Sequence, residues 1–216
     1  MAFYVGLVLL LAGLGLLGYV AWEFFGTNVV SRHEQQQAVH QLRQTWQEEA
    51  HAGANAKGSG VKLGAAQALV RIPRFGKGYV MPVFAGVSQE VLAKGFGHFR
   101  HTAHAGGVGN YALAGHRVTH GEPLRNMPEL RPGDKIIVET RKAVYTYVLD
   151  TNPNNLIVSF TNTWVLQPDP DNPVPGGVQP AQKPGQHLIT LTTCSELFHT
   201  DNRMIAFGHL VSTRRK

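Results

Sequence analysis

Cysteine is almost absent from the 216-residue sequence, which contains only Cys194. A single cysteine excludes an internal disulfide and any zinc site built from several thiolates. Charged residues are also few: they make up 16% of the chain, against about 25% in average proteins, while apolar residues make up 43%. This composition argues against a disordered chain or a coiled coil, so we expect a packed hydrophobic core.

Long runs of basic residues are missing as well. The net charge is +6, from 20 Lys and Arg against 14 Asp and Glu, but the longest basic run is only the three residues 214–216. Binding to phosphates needs clustered cations. We therefore expect no nucleic-acid partner.

Residues 2–22 contain no charged side chain and consist mainly of Leu, Val, Gly and Ala. As a helix they reach ~31 Å, enough to cross the hydrocarbon of a bilayer. A cleaved signal peptide is the alternative, but its apolar core is usually about 7–15 residues long and precedes a small-residue cleavage site. Here the apolar run is longer and ends in the bulky sequence WEFF. We predict an uncleaved transmembrane anchor over residues 1–25.

The orientation that we predict for this anchor is the opposite of the one given by the positive-inside rule. All 20 Lys and Arg residues follow residue 31, so the positive-inside rule would place the folded part in the cytoplasm. Long domains, however, translocate largely regardless of their charge. We expect a single-pass protein of the cell membrane whose folded domain is extracellular.

Residues 26–60 are predicted to separate the anchor from the folded domain. Within them, residues 31–49 are polar and rich in Gln, with Val39, Leu42 and Trp46 at helical spacing, which predicts a solvated stalk helix with one thin apolar stripe. Residues 51–60 have the composition of a flexible linker. A folded domain over residues 61–216 is then expected.

Short apolar and β-branched runs recur through this domain between turn signals. Helical candidates are short, at residues 89–94 and 123–130. Seven or more short strands indicate an all-β barrel or sandwich. The strand candidates are residues 69–72, 79–83, 111–114, 135–140, 143–149, 187–193 and 204–210.

Six of the twelve prolines lie between Pro168 and Pro184. Proline has no backbone donor and a fixed φ, so this segment cannot be a central strand. We predict a long surface loop, of the kind that is either functional or disordered.

Three residues with useful chemistry lie at or near the ends of strand candidates: His116, Cys194 and Arg203. A thiolate is a good nucleophile for acyl transfer, an imidazole moves the protons, and a guanidinium stabilises charge on the attacked carbonyl. Each residue also has an ordinary interpretation, as an inert core cysteine, a turn histidine and a strand arginine whose charge reaches solvent. Spacing alone does not decide between them.

The motif TLTTC at residues 190–194, followed by Arg203, resembles the catalytic strand of sortases, whose motif is TLxTC with a downstream arginine. The sequences GHF at 97–99 and GNYALAGHR at 109–117 resemble the sortase segment that carries the catalytic histidine. The sequence AGHRVTHGEPLR at 114–125 is most similar to classes D and E. The resemblance covers roughly residues 68–214.

This resemblance implies an all-β fold, the eight-stranded sortase β-barrel with short helices, preceded by the transmembrane helix and stalk. It implies that Cys194, His116 and Arg203 are catalytic and that Thr192 and Thr193 of the motif contact substrate. Tyr111 is also predicted to bind substrate and favours class E over class D, although it could be an ordinary strand aromatic.

The implied activity is transpeptidation. The enzyme would cleave an LPxTG-like or LAxTG-like sorting signal of a surface protein between Thr and Gly through a Cys194 thioester. It would then pass the protein to an amine of a peptidoglycan precursor. No second hydrophobic span follows residue 190, which favours a housekeeping anchoring enzyme over a pilus polymerase. Two alternatives stay open: a cysteine endopeptidase or hydrolase with the same site, and a membrane-tethered peptide-binding module without catalysis.

Metal sites are weakly indicated. Five of the eleven histidines lie within residues 98–120, which suggests zinc, but no Cys, Asp or Glu accompanies them there. Asp169 and Asp171 are too few oxygen ligands for calcium. We expect neither a metal nor another cofactor.

Overall fold

The computed structural model describes residues 2–22, 26–51, 66–196 and 200–216. Most of the predicted linker lies outside the described residues. The described helices are α1 (Ala2–Ala21), α2 (Thr27–His51) and α3 (Gln89–Leu92). The described strands are β1 (Ala68–Arg71), β2 (Met81–Ala85), β3 (Phe96–His98), β4 (Gly109–Ala114), β5 (Lys135–Glu139), β6 (Ala143–Leu149), β7 (Ile157–Ser159), β8 (His187–Cys194) and β9 (Asn202–Arg215).

Eight of these strands close into a barrel. The order around it is β6-β5-β1-β2-β3-β4-β8-β9, and β9 pairs with β6 to complete the ring, while β7 adds to β9 outside it. The 14-residue β9 reaches three partners because its first part lies against β7 and β8 and its last part lies against β6. The predicted all-β, eight-stranded barrel is confirmed.

The seven predicted strands are all present, with β9 beginning two residues earlier and ending five residues later than predicted. β3 and β7 were not predicted, because three residues are too few to show an alternating pattern. The predicted helix over residues 123–130 is reduced to a 3-10 turn, Met127–Glu129. Pro128 within it cannot supply the backbone donor that a longer helix needs.

The barrel interior is filled by large apolar side chains that are completely buried, such as Phe96, Leu113, Ile136 and Ile189. Tyr147 is also completely buried, and its hydroxyl accepts a 2.6 Å hydrogen bond from the backbone N–H of Gly106. A buried hydroxyl without a partner would destabilise the fold, so this bond permits a tyrosine in the core.

Helix α1 has the length and composition of a membrane span. Its 20 residues have a mean hydropathy of 2.2, and none of them is buried against the rest of the protein. An apolar helix exposed on all sides is expected where lipid covers it.

Helix α2 differs from the predicted solvated stalk, because one of its faces lies against the barrel. The predicted apolar stripe is present and packs on Leu69 and Val80. Beyond Trp46, Arg141 forms an ion pair of 3.4 Å with Glu49. The buried residues of α2 are Asn28, Ser31, Gln35, Val39 and Leu42. Three of these five are polar, which is why hydrophobic periodicity did not predict this interface.

The proline-rich segment is a surface loop, as predicted. Side-chain amides hold it together: Asn172 donates to the carbonyl of Val178 at 2.9 Å, and Gln182 donates to that of Pro170 at 2.9 Å. A loop with internal hydrogen bonds keeps a defined course even without secondary structure.

We expect the barrel core to account for most of the stability of the domain. Replacing Val138, which is completely buried in β5, with alanine should lower the free energy of unfolding by about 2–3 kcal/mol, because it removes buried methyl groups and leaves a cavity. The matched change at Val211, 50% exposed in β9, should cost less than about 0.5 kcal/mol. Denaturant unfolding of the full chain in detergent micelles measures both, and equal losses would contradict a core inside the barrel.

Candidate active site

The parallel pairing of β4 with β8 determines where His116 lies. The last registered pair is Ala114 with Thr192, and the backbone N–H of Gly115 donates to the carbonyl of Thr192 at 3.1 Å. The Thr193 hydroxyl returns a 2.7 Å hydrogen bond to the carbonyl of Gly115. Continued by two residues, this register would pair His116 with Cys194, and both residues line the same cavity.

The two parts of the chain stay next to each other for one more residue. The guanidinium of Arg117 donates to the carbonyl of Ser195 through Nη1. Hydrogen bonds therefore join these two parts of the chain on both sides of His116 and Cys194.

The antiparallel pairing of β8 with β9 determines where Arg203 lies. Arg203 is directly opposite Cys194 in the register, so their side chains are on the same face of the sheet. Its Nη1 donates to the carbonyls of Thr200 and Asn202 at 2.6 and 2.9 Å, and its guanidinium carbon is 6.0 Å from the centre of the Phe160 ring. These contacts hold the cation beside the cysteine.

The structure brings His116, Cys194 and Arg203 to one cavity of about 660 Å³, which Thr192 and Thr193 also line. Its other walls are largely apolar and include Val87, Leu92, Phe99, Val158, Phe160 and Leu166. No residue from 168 to 184 lines this cavity. A concave, mostly apolar site with a few convergent polar groups is the usual form of a ligand pocket.

The remaining predicted contacts differ in position. Thr192 and Thr193 are 7% and 3% exposed, so their side chains contact mainly other residues of the protein. Tyr111 lies elsewhere: it is 3% exposed, belongs to the main core, and has its ring 4.7 Å from that of His98. Tyr111 does not line the cavity, so the structure does not place it where it could contact a substrate bound at Cys194.

His116 is held in an environment that disfavours its charged form. Burial, and then repulsion from His120, lowers the pKa of His116 to about 4. The imidazole is therefore neutral at neutral pH and able to accept a proton. On acidification between pH 6.5 and 4 the unfolded chain binds this proton first, so the His116 contribution to stability is lost as the pH falls.

His120, which the sequence indicated only as a possible metal ligand, is the neighbour of His116. Its ring stacks on that of His116 with centroids 4.7 Å apart and an angle of 26°. Within the described residues, His116 Nε2 and His120 Nδ1 are buried without a hydrogen-bond partner. The spacing of four residues between two histidines was the only signal in the sequence for this pair.

Among the residues that the structure describes, no group of three or more His, Cys, Asp or Glu side chains is placed to hold a metal ion. The histidines of residues 98–120 lie at different places in the fold instead. His98 is buried and its Nε2 lies 2.9 Å from the carbonyl of Ala103, while His116 and His120 stack at the cavity.

Comparisons with known proteins agree on one family. The family model for the sortase domain matches residues 70–211. The chain is 33% identical to sortase SrtE1 of Streptomyces coelicolor over 217 residues, which is 97% of this chain and 57% of that protein, so it spans little more than half of that relative.

Solved structures agree with this result. Sortase E of Streptomyces avermitilis has a TM-score of 0.59 and 37% identity, covering 69% of this chain and 90% of that one. Sortase E1 of Streptomyces coelicolor, solved with a tripeptide in its active site, has a TM-score of 0.60 and 34% identity over the same shares.

The stacked histidines lead to a prediction about the pKa of His116. Replacing His120 with alanine should raise this pKa above its value of about 4, because repulsion is removed, but it should stay below 6.5 because burial is the larger cause. NMR titration of the ring in histidine-labelled protein measures the change. The control His101→Ala, at an exposed position, should leave the midpoint unchanged. An unaltered midpoint in His120→Ala would contradict the interaction between the rings.

Proposed function

The chain belongs to the sortase family of cysteine transpeptidases, and from this premise we propose that it anchors surface proteins to the cell wall. In this proposal the enzyme cleaves an LPxTG-like or LAxTG-like sorting signal between Thr and Gly. It then transfers the new carboxyl end to an amine of a peptidoglycan precursor. The observation that carries the proposal is the meeting of Cys194, His116 and Arg203 at one cavity.

The first half-reaction forms a thioester. Cys194 attacks the carbonyl of the substrate threonine while the neutral His116 accepts the thiol proton. Arg203, opposite Cys194, stabilises the negative charge that develops on the carbonyl oxygen. His116 then gives its proton to the departing glycine amine, and the bond between Thr and Gly breaks.

The second half-reaction uses the same groups in reverse. An acceptor amine attacks the thioester carbon, and His116 takes the proton that the amine loses. Cys194 leaves as the tetrahedral intermediate collapses and recovers its proton from His116, so no net proton is gained or lost. If water replaces the amine, the same site acts as a hydrolase, which was the alternative from the sequence.

The apolar walls of the cavity support a peptide substrate. Val87, Leu92 and Phe99 offer a hydrophobic surface for a side chain of the sorting signal. Arg203, at the same cavity, contacts the backbone of the bound signal in this proposal. Sortase E1 of Streptomyces coelicolor has been solved with a tripeptide in its active site. We assign this chain to class E on its similarity to sortases of that class. Because class E sortases are associated with a signal whose second residue is Ala, we infer the same preference here.

Helix α1 supports a location at the membrane. We propose that it spans the bilayer once and that the barrel is extracellular, where surface proteins and a lipid-linked acceptor are both found. Confinement of enzyme, substrate and acceptor to one surface raises their effective concentration.

A covalent adduct on Cys194 tests the reaction. Incubation with LAxTG and LPxTG peptides should give a thioester whose mass excludes the glycine leaving group, forming faster with the LAxTG peptide, and Cys194→Ala should give none. Mass spectrometry of the intact protein and of the products measures both. An added amine should become joined to the threonine. Release of only the free acid would favour the hydrolase, and binding without any adduct would favour the non-catalytic module.

A second test concerns Arg203. Arg203→Ala should lower kcat for amine transfer by about 10²- to 10³-fold, since a donor at the developing oxyanion is lost. Arg203→Lys should recover part of this loss because it keeps the charge but not the geometry of the guanidinium. Steady-state kinetics measures the effect, with Arg215→Ala, an exposed arginine of the same strand, as the matched control. Full activity of Arg203→Ala would exclude the proposed role.

A further inference from the structure

The turn that follows His116 has an unfavourable backbone conformation. His120, Gly121 and Glu122 have φ values of 53°, 78° and 54°, so three consecutive residues lie in the left-handed region. Only glycine adopts this region without steric cost. Residues held there persist only where the surrounding structure determines their conformation.

Helix α2 supplies these surroundings, with one side chain for each residue of the turn. Gln35 Nε2 donates to the carbonyl of His120 at 2.9 Å, and the backbone N–H of Gly121 donates to Asn28 Oδ1 at 2.7 Å. Arg32 forms an ion pair of 3.1 Å with the carboxylate of Glu122.

The contact is close and buried. Asn28 and Gln35 are 8% and 2% exposed, which is unusual for polar side chains unless they are hydrogen-bonded. A Cβ atom on Gly121 would lie 2.5 Å from the amide atoms of Gln35, so only glycine permits this approach. Residues 28, 32 and 35 are spaced to lie on one helix face, and this face touches the turn.

The turn at residues 120–122 also carries the His120 ring, which reaches the active-site cavity. The ring of His120 stacks on the ring of His116, and both residues line the cavity. Because the ring of His120 is attached to this backbone, a contact that fixes the backbone of the turn also restricts where the ring can lie against His116.

We propose that Asn28 and Gln35 of α2 are positioning residues for the transfer reaction. By holding the turn at residues 120–122, they keep the ring of His120 stacked on His116, so that the imidazole meets both Cys194 and the leaving amine. The helix next to the membrane span is then part of the catalytic apparatus as well as a stalk. This inference rests on the proposed function, because the position of His116 affects turnover only if His116 transfers protons.

The test uses the full chain in detergent micelles and the double variant Asn28→Ala, Gln35→Ala. Its kcat for joining an amine to a sorting peptide should fall by about 10- to 100-fold, because small misplacement of a catalytic group has effects of this size. Its KM should stay within about twofold, since the apolar walls that hold the peptide are unchanged. The control Gln44→Ala, an exposed glutamine of the same helix, should match the wild type.

A structural measurement accompanies the kinetics. In histidine-labelled protein, nuclear Overhauser contacts between the rings of His116 and His120 should be present in the wild type and in Gln44→Ala. They should be lost or weakened in the double variant. This readout does not depend on substrate.

A general loss of stability is excluded by a third variant. Leu42→Ala removes a buried apolar side chain from α2 away from the turn, so it should lower the melting temperature while keeping kcat near the wild-type value. If the loss of kcat instead follows the loss of melting temperature across all variants, the helix only stabilises the domain and the proposal is overturned.

The remaining outcomes separate the two proposals. Normal kcat in the double variant, with the ring contacts either kept or lost, overturns the positioning role but leaves the proposed transpeptidase intact. Absence of transfer by the wild type, under conditions where the chain is folded, refutes the proposed function and the inference with it.

Discussion

The site depends on the hydrogen bonding between β4 and β8, two parallel strands from distant parts of the chain. Six registered pairs, from Gly109 with His187 to Ala114 with Thr192, fix their relative position. Because the strands are parallel, both end at the same edge, and the residues that follow them leave the sheet side by side. A shift of one residue would turn each side chain of β8 to the opposite face, so the register determines on which face of the sheet the Cys194 side chain lies.

Burial then decides which charges the site holds before substrate arrives. An isolated cation inside a protein is unfavourable, and His116 responds by remaining neutral, with a pKa of about 4. Arg203 is different because guanidinium stays protonated in proteins and because backbone carbonyls of Thr200 and Asn202 accept its hydrogen bonds. The site thus combines a permanent cation with a neutral base. In the proposed reaction this arrangement suits an oxyanion that appears only as the thiol attacks.

The sequence predicted the parts of the protein that local chemistry determines. Seven of the eight barrel strands were predicted from β-branched runs between turns, and their motifs singled out Cys194, His116 and Arg203, which the structure brings to one cavity. It did not predict the short strands β3 and β7, which hold their place through pairing with longer neighbours rather than through their own pattern.

The docking of α2 was missed for a related reason. Its buried residues next to the turn are Asn28, Ser31 and Gln35, whose burial is favourable only because Asn28 and Gln35 find backbone partners more than 80 residues away. A hydrophobic pattern carries no information about such partners. The same holds for His120, since the left-handed φ values that bring its ring to His116 are set by contacts across the fold.

The position of α2 also limits the distance between the cavity and the bilayer. Five residues separate the end of α1 at Ala21 from the start of α2 at Thr27, so Asn28 lies within roughly 25 Å of the end of the span. Asn28 bonds to the turn whose His120 touches His116. If α1 crosses the bilayer, this short connection keeps the part of the barrel that contacts Asn28 within that distance of the membrane. In the proposed reaction a lipid-held acceptor also lies at the membrane surface, and a long flexible connection would not keep the barrel close to it.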